Sequence, residues 1–426
     1  MSLYQTFQFQ RYDFDPASKI LNLHYGYDDQ LNFTETYKFD FDFINYDQKI
    51  LNIALNNLFL LAGVSYYKAF LAPVITTSSN KVTRESANFL EKTYQRGLGE
   101  FFYVNNLEPN QKISFPTSDL ESLPVHNSGS GLLVGIGGGK DSLVTIEALR
   151  NQPKIATWSV GHRSQLEPLV AAIGLTHLWV ERVWDSQLLK LNDMGAYNGH
   201  VPISAILAAV GTVVAVLAGF QDVVVSNEHS ANEATLQYRG VAINHQYSKS
   251  LEFETDYQSL LSDQFGSSLR YYSFLRPFSE LKIAELFVKH GFNKYADVFS
   301  SCNRAYTLGS TMGWCGNCPK CCFVYLVLAN FTDESHLTKL FYGRNLLLEP
   351  ELEMTYRNLL GIEGDKPLDC IGEVQESRLA MRKMQNQYSQ LKKFIFELDG
   401  NYDYSTIHAH SMPPEIYQLL ASLVDN

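Results

Sequence analysis

The chain is short of cysteine and of positive charge, and each shortage excludes something. Its 426 residues include six cysteines. Four of these fall between Cys315 and Cys322, which is not the spread of a disulfide framework in a secreted protein. Lysine and arginine number 34 against 45 aspartates and glutamates, a net charge of −11. Binding to a phosphate backbone needs clustered basic side chains, so nucleic acid is not expected as the main partner. The N-terminal run Met-Ser-Leu-Tyr-Gln-Thr-Phe-Gln has neither the cationic start nor the apolar core of a secretory leader. With the cysteine usage, this points to a reduced cytosol. Low-complexity tracts are lacking too: 45% of the residues are apolar and 19% charged, a folded composition with length for two or three domains. One run, Val201 to Phe220, with no charged residue over 20 positions, is long enough to span a membrane. It holds Pro202, Ser204, Thr212 and two glycines and runs into the strand pattern Asp222 to Ser226. A buried helix of an α/β layer is therefore expected, and no membrane partner.

What is present is one glycine-dense run, Gly131-Leu-Leu-Val-Gly-Ile-Gly-Gly-Gly-Lys140-Asp141-Ser142, continuing to Arg150. Its apolar start reads as a buried strand, its glycines as a turn needing positive φ or close backbone approach, and Asp141 onward as a helix. Backbone N–H groups and a helix N-terminus then converge over Gly137, Gly138 and Gly139, and Lys140 adds a charge, making an anion cradle. A Walker A loop needs Ser or Thr directly after its Lys, and here Asp141 intervenes before Ser142. The dinucleotide fingerprint fails at its last glycine, where Lys140 stands. The run resembles the PP-loop, S-G-G-x-D-S, of ATP pyrophosphatases, which cleave ATP to AMP and pyrophosphate while adenylating an acceptor. Gly138, Gly139, Asp141 and Ser142 match that pattern, with Gly137 in place of the usual serine.

Residues 5 to 44 alternate apolar and polar in Tyr- and Phe-rich runs, which predicts antiparallel strands with turns near Asp15-Pro16 and Asp28-Asp29. Helices are expected over Gln48 to Phe70 and Arg84 to Tyr103, and a connection over Gln111 to Gly131. From Gly131 the pattern becomes alternating strands and helices. Strands are expected at Leu132 to Ile136, Ile155 to Val160, His177 to Glu181 and Val223 to Ser226, the mark of a parallel sheet with its ligand crevice at the strand carboxyl ends. The organisation expected is an N-terminal α+β domain over 1–125, a parallel-sheet α/β PP-loop domain over 126–330 and a helical C-terminal region over 331–426.

Polar side chains crowd Gly195 to His200, Asn244 to Lys249 and Arg270 to Pro277, read as loops where binding groups sit. Cys302, Cys315, Cys318 and Cys321 are spaced C-x12-C-x2-C-x2-C. Four thiolates in tight turns suit a structural tetrahedral Zn²⁺, with an iron–sulfur cluster as the alternative. Cys322 reads as a buried residue opening the helix Phe323 to Leu328, and amphipathic helices are expected at Leu337 to Leu347 and Ser377 to Leu398. Cys370 is the one cysteine outside the cluster.

Further runs carry a wider resemblance: Ala62 to Lys68, Gly97 to Phe101, Gly137 to Leu143, Asn198-Gly-His200, Ser226-Asn-Glu228, Asn244-His-Gln246, Leu269 to Ser273, Ser300 to Arg304, Trp314-Cys-Gly and Gly343-Arg-Asn345. The chain resembles the ATP-dependent UDP-N-acetylmuramoyl-L-alanyl-L-glutamate epimerases, the MurL family, in which the loop also begins with Gly. The resemblance implies a HUP-like PP-loop fold, ATP and Mg²⁺, and a UDP-sugar dipeptide of peptidoglycan precursor synthesis whose terminal glutamate is inverted. The chemistry fits the loop. Taking an α-proton from a carboxylate builds a dianion, whereas an acyl-adenylate enolises far more easily. On this reading Lys140 and the loop amides hold phosphate, Asp141 takes Mg²⁺, and Ser142 caps the helix and touches phosphate. Arg276 or Lys249 neutralises substrate charge, and the proton-transfer groups come from His200, His245, Lys249, Glu228 and Cys370. The competing readings are a carboxylate-adenylating C–N ligase like the 7-cyano-7-deazaguanine synthases, a tRNA-modifying PP-loop enzyme, and a non-catalytic nucleotide-binding module.

Overall fold

A computed structural model describes residues 3–77, 82–118, 123–364 and 366–425. Residues 119–122 of the expected connection lie outside the described residues. Nine strands form one sheet: β1 (Thr6–Asp15), β2 (Ile20–Tyr27), β3 (Leu31–Asp40), β4 (Val74–Thr77), β5 (Leu132–Gly135), β6 (Ile155–Val160), β7 (His177–Val183), β8 (Asp222–Val225) and β11 (Arg270–Ser273). A separate hairpin pairs β9 (Leu236–Tyr238) with β10 (Val241–Ile243). The order across the large sheet is β11-β8-β5-β6-β7-β3-β2-β1-β4. Strands β11, β8, β5, β6 and β7 run parallel; β7, β3, β2 and β1 are antiparallel neighbours; β4 lies parallel to β1 at the edge. The result is a mixed, mostly parallel α/β sheet with helices, as the alternating pattern predicts.

The chain steps outward from β5 to β6 and β7, then returns to lay β8 on the other side of β5. This reversal opens a crevice at the carboxyl ends of β5, β6 and β8. Side-chain alternation along β5 feeds two cores: Leu133 packs in one, Leu132 and Val134 in the other. The first core receives the aromatic strands and two apolar helices, Gln48–Ala62 and Ile203–Ala218, which pack on each other. The expectation of a buried helix at Val201 to Phe220 is met. The stretch Gln48–Tyr67 is also apolar and long enough to cross a bilayer, yet 83% of its most apolar window is buried in the protein.

Tyrosine-rich strands need acceptors for their buried hydroxyls. Tyr25 donates to the Phe59 carbonyl at 2.8 Å, Tyr27 to Tyr67 at 2.7 Å, and Tyr94 to Leu60 at 2.6 Å. Each uses a carbonyl in the helical run 48–67, and those of Phe59 and Tyr67 also accept a backbone N–H, from Gly63 and Leu71, so the hydroxyl takes the second lone pair. The meander joins the parallel block through β3 and β7. There, buried Glu35 receives Arg182 Nε at 2.8 Å and the Tyr37 hydroxyl at 2.6 Å. Segment 1–125 thus contributes four strands to the same sheet as the loop-bearing strand.

Five elements differ from expectation, two of them the C-terminal amphipathic helices, which run over Glu334–Leu340 and Val374–Gln385 rather than Leu337 to Leu347 and Ser377 to Leu398. Arg270 to Ser273, read as a polar loop, is a strand: Tyr271 and Tyr272 fill the core, and Arg270 clamps Asp222 on β8 at 2.6 and 2.7 Å. Each expected N-terminal helix breaks, into Gln48–Ala62 with Val64–Tyr67 and Arg84–Gly97 with Gly99–Val104.

Candidate active site

The run after β5 turns over Gly137 to Gly139 into the helix Lys140–Leu149. Gly138 sits at φ +86°, and a Cβ there would lie 2.5 Å from Met312 Sδ, so only glycine fits. Gly137 differs: nothing lies within 4 Å of where its Cβ would project, leaving that face of the loop open. The segment after Phe299 braces the loop. Ser300 N–H donates to the Gly138 carbonyl at 3.0 Å, Lys140 N–H to Ser301 Oγ at 3.2 Å, and the Tyr306 hydroxyl to the Gly137 carbonyl at 2.6 Å. Ser142 Oγ donates back to the Gly139 carbonyl at 3.1 Å and does not cap the helix, which has no side-chain cap.

Lys140 does not face the open side of the loop. Its side chain is fully buried, and its ammonium pairs with Asp141 and Glu280. A desolvated ammonium needs such partners, so this lysine is committed to protein carboxylates. Glu280 opens the helix Glu280–His290 and also receives Lys320 Nζ at 3.1 Å. Burial opposes its charge, but the two ammonium groups win and hold the Glu280 carboxyl down at about 2. Lys320 belongs to the helix Pro319–Leu328, and with Asp141 and Glu280 it lines a cavity of about 440 Å³ above the loop.

The same cavity is lined by Glu228, beyond β8, and by Lys249 and Cys370. Lys249 Nζ donates to Cys370 Sγ at 3.2 Å. Burial raises the Cys370 thiol, but Lys249, His245 and Lys320 outweigh it and bring it to about 7. His245 in turn pairs through Nδ1 with Glu100, and His200 Nδ1 stands 3.8 Å from the same carboxylate oxygen. The two imidazole rings are 4.6 Å apart. Burial disfavours charge on both. Hydrogen bonds to Cys370 and Glu100 nevertheless carry His245 up to about 9, while burial and the His245 charge drop His200 to about 4. One ring is charged and its neighbour neutral.

Arg276, expected to meet substrate charge, is fully buried and cannot. Its guanidinium binds Glu254 at 2.9 and 3.1 Å and donates to the carbonyls of Glu228, at 2.6 Å, and Lys249. It fixes the backbone that presents two cavity side chains.

The four cysteines expected to share a metal come together, with all sulfurs within 4.8 Å of one another. Cys302 and Cys318 sulfurs are 4.0 Å apart, and Cys315 and Cys321 3.7 Å. Four Zn–S bonds of about 2.3 Å in a tetrahedron put sulfurs roughly 3.8 Å apart. Backbone N–H groups of Arg304 and Cys321 point at Cys302 and Cys318 sulfurs, at 3.3 and 3.4 Å, as thiolate ligands require. The donor set fits a metal ion. Cys322 is buried next to the cluster, as expected.

A family model described as the MurL N-terminal domain matches residues 1–274, and one described as the MurL C-terminal domain matches 298–402. A protein of Xanthomonas oryzae pv. oryzae (strain MAFF 311018), named UDP-N-acetyl-alpha-D-muramoyl-L-alanyl-L-glutamate epimerase, is 36% identical over 441 residues, covering 97% of this chain and 96% of that one. The chain belongs to the MurL family. Proteins of the same name from Salinispora tropica and Micromonospora sp. are 37% and 38% identical, over 80% and 79% of this chain and 75% and 76% of their own lengths. No solved structure matches.

Within this MurL chain, three cavity or near-cavity groups escaped the sequence reading. Glu280 and Lys320 carry the charge balance beneath the loop, and Glu100 links the two histidines. A signal existed for each: Glu280 follows a capping Ser279, Lys320 sits between two metal-spaced cysteines, and Glu100 lies in a run that resembles the family. None of these signals says which partner the side chain meets.

Proposed function

We propose that this chain inverts the α-carbon of the terminal L-glutamate of UDP-N-acetylmuramoyl-L-alanyl-L-glutamate, through an acyl-adenylate made from ATP. The observation that carries this reading is a single cavity lined by both the open phosphate loop and Cys370. A cavity near 440 Å³ suits a nucleotide-sized reactant. The loop amides and the uncapped helix start suit its phosphates. Lys320, rather than Lys140, is the ammonium that lines the cavity beside the loop, and Asp141 is the carboxylate suited to Mg²⁺, which would neutralise phosphate charge.

The glutamate α-carboxylate attacks the α-phosphorus of ATP and pyrophosphate leaves. The resulting mixed anhydride acidifies Cα–H, the Cys370 thiolate takes that proton, and the enolate is protonated on the other face. Glu228, on a different element of the cavity wall, is the group we assign to that return, delivering a proton it has taken up from solvent. Lys249, in contact with Cys370, steadies the thiolate and the substrate's negative charge. Water then releases AMP. The four cysteines hold a structural Zn²⁺ that ties the Ser300–Tyr306 segment and Lys320 against a PP-loop domain. Segment 1–125 helps recognise the substrate and, through Glu100, supports the site from behind the cavity wall. A nucleotide-linked substrate and ATP suit a cytoplasmic setting.

Purified protein with ATP, Mg²⁺ and the UDP-sugar dipeptide should form AMP and pyrophosphate, and acid hydrolysis should then yield D-glutamate. AMP without inversion, or ADP in place of AMP, would overturn the reading.

A further inference from the structure

The cavity wall includes Cys370 and Lys249 but not Glu100, His200 or His245. These three therefore act on the site from behind its wall. A carboxylate only accepts, so the contact between His245 Nδ1 and Glu100 Oε2 places a proton on Nδ1, and the Cys370 side chain hydrogen-bonds the same imidazole. The arrangement is a carboxylate orienting an imidazole that faces a thiol, with Lys249 on the thiol as well. Glu100 comes from the short helix Gly99–Val104, His245 from the loop after β10, and Cys370 from the segment before the helix Val374–Gln385. Three distant pieces of chain converge on one contact line.

We propose that Glu100 is a positioning residue: by accepting the Nδ1 proton of His245 it holds the imidazolium against the Cys370 sulfur without touching substrate. The inference rests on Cys370 working in the cavity as proposed above. Around the sulfur stand Lys249, Lys320 and His245, with Asp369 next in sequence; around His245 stand Glu100, His200 and Asp369. Two lysines share the task of holding the thiolate, so losing Glu100 weakens the effect without abolishing it.

The test is the pH dependence of Cys370 alkylation by iodoacetamide in zinc-loaded protein, read on the Cys370 peptide with Cys370→Ser as blank. For Glu100→Gln the midpoint should rise by about one pH unit, making labelling at pH 6 about tenfold slower. Glu100→Asp should recover part of the shift. Simple loosening of the structure would instead speed labelling by exposing the thiol. An unchanged midpoint in folded Glu100→Gln protein would overturn the proposal. If that variant does not fold, ring-nitrogen NMR of the wild type decides: His245 should carry both ring protons at pH 7 while His200 is neutral, and a neutral His245 would overturn it. Neither readout needs substrate, so failure of the epimerase reading would leave both results interpretable.

Discussion

Lys249 Nζ lies 3.2 Å from Cys370 Sγ, across a sequence separation of 121 residues. An ammonium held that close to a thiol stabilises the thiolate, and with His245 behind it the thiol stands at about 7 rather than at the usual 9. The proton-abstracting form is then half populated at neutral pH. The acid limb of kcat/KM for epimerisation should accordingly rise through about pH 7, and an acid limb centred near 9 would contradict this assignment.

Cys370→Ser replaces a thiolate with a hydroxyl that does not ionise in this range. Epimerisation should fall by about 10²–10⁴-fold, the usual worth of a positioned base. Pyrophosphate release should persist, because the loop is untouched. The check is pyrophosphate and D-glutamate measured side by side. Equal loss of both would mean that Cys370 serves binding or folding.

Glu280 pairs with Lys140 and Lys320 inside the protein, so Glu280→Gln strands the buried Lys320 ammonium and leaves Lys140 with Asp141 alone. Breaking a buried pair of this kind costs about 3–5 kcal/mol, measurable by urea denaturation. The pH sign follows from the carboxyl's descent from 4.5 to about 2 on folding. Its stabilisation is fully present above about 4.5 and drains away as pH falls toward 2, where folded and unfolded forms are both protonated. The variant should show a flatter stability profile across that window, and an unchanged profile would refute the pairing.

Cys315→Ala removes one of four converging sulfurs. Zinc content and solubility should fall together, and pyrophosphate release should fall with them, since the cluster ties Cys302 and Lys320 to the loop wall. A stable, metal-free, fully active variant would refute the structural-metal reading.

The glycine turn, the cysteine quartet and the parallel strands were legible because each is a local pattern: spacing, alternation, or a φ that only glycine tolerates. The clustering of polar loops was legible in kind but not in role. Arg276 looked like a substrate cation, and nothing in Arg-Pro-Phe says that a guanidinium will be walled in by Glu254 and two carbonyls. Lys140 misled for the opposite reason. Its loop position suggested phosphate, while Glu280, 140 residues later, claimed the ammonium. Arg270 to Ser273 failed as a strand prediction because it lacks aliphatics; tyrosine rings fill the core in their place.

The most direct test runs the reaction in D₂O and follows deuterium at the glutamate α-carbon with and without ATP. Adenylation before proton removal predicts deuterated D-glutamate product only when ATP is present, with AMP formed alongside it. Deuterium exchange at Cα in the absence of ATP would contradict the acyl-adenylate route.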